Sequence, residues 1–204
     1  MPLLRHEFWR GDLGFNVEHR RIPRAARKEK MMGDQSRVPT TGTSILSRFI
    51  ECSTQFPDNP AIVVDGRSYT YSELNGLCSA IGTLLKAHDI KKGDRVGIFT
   101  EDNIYAYASL LGILSCGACY VPLNYDNPVE RNMAIITDAG IKVLLYTEKE
   151  DQARELSVSP GTECRPLNNR VTPNPGKLDP VDQVHGDLCY LLFTSGTTDR
   201  KSVV

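Results

Sequence analysis

Apolar residues recur along this chain with two periods, and the period switches repeatedly between Ser44 and Thr194. Ile45, Leu46, Phe49 and Ile50 share one helical face, with Thr43 or Ser44 placed as the N-cap. Phe56-Pro57-Asp58-Asn59-Pro60 ends that helix. Ala61 to Val64 is a short apolar run, Asp65-Gly66 is a hairpin signal, and Ser68 to Tyr71 returns as a second strand. Ser72 then reads as an N-cap with Asn75 three residues on. Leu74, Leu77, Ile81, Leu84 and Leu85 follow as the stripe of an amphipathic helix ending near His88. Val96 to Phe99 is a buried strand, and Tyr107, Leu110, Leu111 and Leu114 mark the next helix. Tyr120 to Leu123 is a strand in which Pro122 requires an edge or terminal position. Pro128 opens a helix closed by Gly140, and Lys142 to Tyr146 is a further buried strand. Residues 157–186, rich in Pro, Asn and Gly, read as a loop or a weak hairpin. Asp187 to Thr194 is the last strand. Strands alternating with helices of this length predict an α/β fold, a mostly parallel sheet flanked by helices.

Composition adds limits. A hydrophobic fraction of 40%, a charged fraction of 24% and a net charge of −1 describe a globular protein with no bias toward nucleic acid or membrane. Residues 1–30 carry eight Lys/Arg against four acids, and residues 1–40 lack periodicity, so they read as a poorly ordered basic leader. No apolar signal region precedes it, and the six irregularly spaced cysteines suit a reducing, cytoplasmic setting. From Asn103 to Tyr125 no residue is charged, but Ser109, Gly112, Ser115 and Gly117 interrupt the run. A buried helix followed by a buried strand accounts for it better than a membrane span. Cys116 and Cys119 have the spacing of a redox or zinc pair; no second such pair or nearby His completes a metal site, and buried thiols are the simpler reading.

The chemistry concentrates at Thr194-Ser195-Gly196-Thr197-Thr198. A strand running into this loop puts it where ligands bind in parallel sheets, outside the strands' carboxyl ends. Gly196 lets backbone N–H groups approach an anion, and Ser195, Thr197 and Thr198 add hydroxyl donors. Such clusters are also common as solvated turns, so the five residues alone leave both readings open. The loop is not of the GxxxxGK[ST] kind.

Two upstream segments add weight. Ser68-Tyr69-Thr70-Tyr71-Ser72-Glu73-Leu74-Asn75 resembles the first core motif of the adenylate-forming (AMP-binding) superfamily, T-Y-x-E-L-N. Leu114 to Leu123 resembles the second, ending in Y-V-P-L, and Leu188 to Thr198 resembles the third, the phosphate loop. The order and approximate spacing are the family's, from about Thr43 to Thr198. With Asn127-Pro128-Val129-Glu130-Arg131, the likeness leans to adenylation domains of nonribosomal peptide synthetases and D-alanyl carrier-protein ligases.

The resemblance implies the N-terminal part of the large domain of an ATP-dependent ligase, incomplete as a fold, over residues 41–198. Such an enzyme uses ATP and Mg2+ to activate a carboxylate as acyl-AMP for a thiol acceptor, carrier-protein pantetheine or CoA. It implies that Thr194, Ser195, Gly196, Thr197 and Thr198 hold the β- and γ-phosphates. Glu73, Tyr120 and Pro122 are then structural, and no catalytic residue or metal ligand is assigned within the chain. Residues 199–204 diverge from the family's T-S-G-T-T-G-x-P-K-G: Asp199 stands in place of glycine and Lys201 in place of proline. The chain alone is therefore expected to be inactive. The alternative is a non-catalytic product that binds nucleotide or a partner.

Overall fold

The computed structural model describes residues 44–157, 161–167, 171–174, 176, 178, 187–193 and 202–203. The leader and the loop at residues 194–198 lie outside the described residues.

Helix α1 (Ile45–Gln55) starts at Ser44, whose hydroxyl accepts the Ser47 N–H at 3.1 Å. A hairpin follows, β1 (Pro60–Val64) antiparallel to β2 (Arg67–Thr70). Its Asp65-Gly66 turn has φ of 50° and 78°, the left-handed pair a twisted two-residue hairpin requires. Helix α2 (Tyr71–Ala87) begins earlier than its apolar stripe suggests. Thr70, not Ser72, is the N-cap, and Tyr71 is helical rather than the end of a strand.

The main sheet contains β3 (Arg95–Phe99), β4 (Cys119–Pro122), β5 (Ile141–Tyr146) and β6 (Glu163–Pro166), in the order β4-β3-β5-β6 and parallel throughout. Helices α3 (Ile104–Ser115) and α4 (Val129–Ala139) make the crossovers β3 to β4 and β4 to β5. The short α5 (Glu150–Leu156) connects β5 to β6. Neither α5 nor β6 is visible in the hydrophobic pattern, and β6 corrects the reading of residues 157–186 as a loop or weak hairpin over Glu163–Pro166, which form a parallel strand. A four-residue strand carrying Glu163 and Arg165 is specified by its partner β5 more than by its own sequence.

The sheet is covered on both faces. Val143 and Leu145 join a core with Leu46, Leu77, Ile81, Leu85 and Ile113 of α1, α2 and α3. Leu144 and Tyr146 face the other way, against Ile135 and Ile136 of α4 and Ala153 and Leu156 of α5. The uncharged stretch from Asn103 is thus α3 and β4, buried between α2 and the sheet. Among the described residues no helix is long and apolar enough to cross a membrane.

Of the last strand expected over residues 187–194, the structure forms Leu191–Leu192 (β7), preceded by a parallel bridge from Tyr190 to Tyr120. Ser202–Val203 (β8) returns antiparallel, placing Leu191 opposite Val203 and Leu192 opposite Ser202.

Candidate functional site

The carboxyl ends of β4, β3 and β5 form a rim built largely from polar residues that bind one another. At the exit of β3, Asn103 caps α3, its Oδ1 accepting the N–H groups of Tyr105 at 2.9 Å and Ala106 at 3.2 Å. The same side chain reaches the exit of β5, Nδ2 donating to Thr147 Oγ1 at 3.2 Å. Thr147 in turn donates to the Glu148 carboxylate. Pro128 opens α4 without a side-chain cap, and Asn132, one turn inside, is buried. Its Nδ2 donates to Asn124 O at 3.0 Å and its Oδ1 accepts from Asn127 at 3.1 Å, which fixes the loop leaving β4.

Tyr125 completes the rim. Its ring lies 4.5 Å from Phe99, and burial holds its hydroxyl above the ordinary tyrosine range. Lys149, with a left-handed φ of 49°, sits 4.0 Å over the same ring and donates to Tyr125 O at 3.0 Å. These contacts are a scaffold's: Asn103–Thr147 ties the exit of β3 to that of β5, Lys149–Tyr125 ties the exit of β5 to that of β4, and the Asn132 bonds hold the loop after β4. Asn103, Asn132, Thr147 and Lys149 have no role in the sequence reading. Only Asn103, an Asn just before an apolar run, carries a signal that could have marked it.

The residues read from sequence as phosphate ligands, Thr194 to Thr198, lie outside the described residues, as do Asp199 and Lys201. The structure does give the direction from which the chain reaches them. Tyr190 runs parallel to Tyr120, so the backbone through Leu192 and Phe193 heads the same way as β4.

The other motif residues are structural. Thr70 Oγ1 accepts the Glu73 N–H at 3.1 Å, and Glu73 Oε2 accepts the Thr70 N–H at 2.8 Å, a complete capping box. The Tyr120 ring stacks on Tyr190 at 5.5 Å, and burial pushes its hydroxyl up to about 12. Pro122 ends β4, where its missing N–H breaks no ladder. Cys116 turns to Gly82 O at 3.6 Å in the α2–α3 core, while Cys119 belongs to the core under α4. The two thiols therefore lie on opposite faces of the sheet. Among the described residues no three His, Cys, Asp or Glu side chains are grouped to hold a metal ion.

Fold and rim together define an α/β domain whose parallel strands point their carboxyl ends at one edge. The sequence profile described as "AMP-binding enzyme" matches residues 49–201. Surfactin synthase subunit 1 of Bacillus subtilis is 31% identical over 183 residues, covering 86% of this chain and 5% of that protein. Among solved structures, the nonribosomal peptide synthetase FmoA3 in its AMPPNP-bound form matches with a TM-score of 0.68 and 28% identity. That match covers 79% of this chain and 17% of FmoA3. An artificially fused adenylation–PCP di-domain, NpsA-ThdA from Klebsiella oxytoca, matches with a TM-score of 0.64 and 26% identity, over 75% of this chain and 28% of that one. The chain belongs to the AMP-binding enzyme family, and its likeness is to adenylation domains of nonribosomal peptide synthetases. It spans only a small part of the length of these relatives.

Proposed function

We propose that this chain is the N-terminal portion of the large domain of an ATP-dependent ligase. Such an enzyme activates a carboxylate as acyl-AMP and passes the acyl group to a thiol, carrier-protein pantetheine or CoA. The observation that carries the reading is the parallel bridge from Tyr190 to Tyr120, which aims the chain entering Thr194 along the direction of the sheet's carboxyl ends. Thr194, Ser195, Gly196, Thr197 and Thr198 would hold the β- and γ-phosphates of ATP through hydroxyl and backbone N–H donors. ATP supplies the α-phosphorus that the carboxylate attacks and the pyrophosphate that leaves. Mg2+ would accompany the nucleotide, and no described side chain is assigned to it. The part of this chain is positional: the Asn103–Thr147 and Asn132–Asn124 bonds fix the strand exits at the sheet's carboxyl edge.

Carboxylate-dependent ATP–pyrophosphate exchange tests the proposal. The 204-residue chain alone is expected to give none, and exchange above a heat-killed control would overturn that. A longer reading frame containing this chain is expected to exchange, with Ser195→Ala slowing it about tenfold or more, roughly 1.4 kcal/mol of transition-state stabilisation. A longer frame that binds ATP without exchange would favour the non-catalytic alternative. Full exchange in the Ser195→Ala variant would remove that hydroxyl from the site.

A further inference from the structure

Cys119 and Cys189 occupy facing positions on two neighbouring segments of the sheet. Tyr120 and Tyr190 form a parallel bridge, and the Tyr120 N–H donates to Cys189 O at 3.0 Å. One residue earlier on each segment, the two cysteines stand opposite one another. Strand alternation turns both away from the stacked tyrosines. That face is the one under α4, where Cys119, Val121 and Leu191 share a core. Adjacent strands lie about 4.8 Å apart, inside the separation of about 4.4–6.8 Å between Cα atoms that a disulfide spans. Both thiols are free; Cys119 is buried and Cys189 is exposed. The other four cysteines lie elsewhere: Cys52 is on α1, Cys116 and Cys78 are in the core on the opposite face, and Cys164 donates to Ala153 O at 3.0 Å.

We propose that Cys119 and Cys189 are an oxidant-responsive pair, the oxidant being a peroxide, and that their disulfide ties the segment entering residues 194–198 to β4. In the first step the exposed Cys189 sulfur attacks a peroxide oxygen, giving a sulfenic acid and, from hydrogen peroxide, one water. In the second the Cys119 sulfur attacks the Cys189 sulfur, forming the S–S bond and releasing a second water. Two thiols are oxidised and one peroxide is reduced to two waters. Burial pushes the Cys119 thiol up to about 11, so the second step quickens as pH rises. The bond would add to a slender link, since among the described residues the segment leading into β7 meets β4 through the one bridge from Tyr190 to Tyr120.

The test is hydrogen peroxide treatment of the whole 204-residue chain, alkylation under denaturing conditions, and mass spectrometry of the unreduced digest. The expected result is a peptide pair joined through Cys119 and Cys189, lighter by two hydrogens and separated by dithiothreitol. Cys189→Ser, at an exposed position, is expected to fold and to lose the linked pair to background; Cys116→Ser is expected to keep it. The proposal is overturned by a sulfinic acid at Cys189 with no link, by a link from Cys189 to any other cysteine, or by a Cys189 dimer between chains. Because the readout is thiols and peptide masses, it stands or falls separately from the adenylation proposal.

Discussion

Glu73 lies at the third position of α2, where it accepts the Thr70 N–H and stands 3.6 Å from Arg67. The hydrogen bond from the Thr70 backbone, helped by Arg67, holds its carboxyl below the usual carboxylate range. A carboxyl lowered on folding contributes stability that is present above its unfolded value and is lost as pH falls through its folded one. Urea titrations from about pH 6 to about pH 3 should therefore show a shallower loss of stability in Glu73→Gln than in the parent. Equal acid slopes would leave the carboxylate without a stabilising role. At neutral pH, Thr70→Ala should cost about 1 kcal/mol by removing the other half of the box. The sequence contained this signal as Thr70-Tyr71-Ser72-Glu73, a threonine three residues before a glutamate. The strand-like alternation of Ser68 to Tyr71 hid it and moved the expected cap to Ser72.

The contact between α2 and α3 depends on small residues. A Cβ on Gly112 would lie 2.9 Å from Ile81 Cγ2 and 3.1 Å from Cys78 O, and a Cβ on Gly82 would lie 2.8 Å from Ser115 Oγ. Gly112→Val should therefore push the helices apart, lowering stability by about 1–3 kcal/mol, with a matching fall in the urea midpoint. An unchanged midpoint would mean that α3 can slide at no cost. The interruptions that argue against a membrane span, Gly112 and Ser115, are the residues that let α3 approach its neighbour. Helix α2 was legible because its own apolar stripe specifies a buried face, and α4 because Pro128 and Gly140 mark its two ends. Helix α5, with Glu150 and Asp151 in its first turn, and β6 have no such stripe. They exist because β5 offers an unpaired edge and Cys164 packs beneath α5.

Strand β5 sends alternate residues into the cores on the two faces of the sheet, so neither core can be lost alone. Ile81→Ala, under α2, and Ile136→Ala, under α4, should each cost about 2–5 kcal/mol and shift one common unfolding transition. Two separable transitions, each moved by one variant, would show that the faces unfold independently. Among the described residues the far edge is β6, where Glu163, Arg165 and Pro166 discourage pairing with another chain. Arg165 Nε donates to His88 Nε2 at 2.8 Å, tying that edge to the end of α2. At this scale the direction of the segment that enters the candidate loop was legible, because strand direction needs only the alternation of elements. The rim was not, since bonds such as Asn103 to Thr147 join residues far apart in sequence that only the parallel register brings together.

The pairing of Leu192 with Ser202 makes residues 193–201 a closed ring in the polymer sense, whatever path they follow. The entropy of bringing the ring's ends together, which grows only as about (3/2)RT ln n, is met when the sheet forms. Ring size then becomes a property that selection or design can tune one residue at a time, with the sheet as a fixed frame.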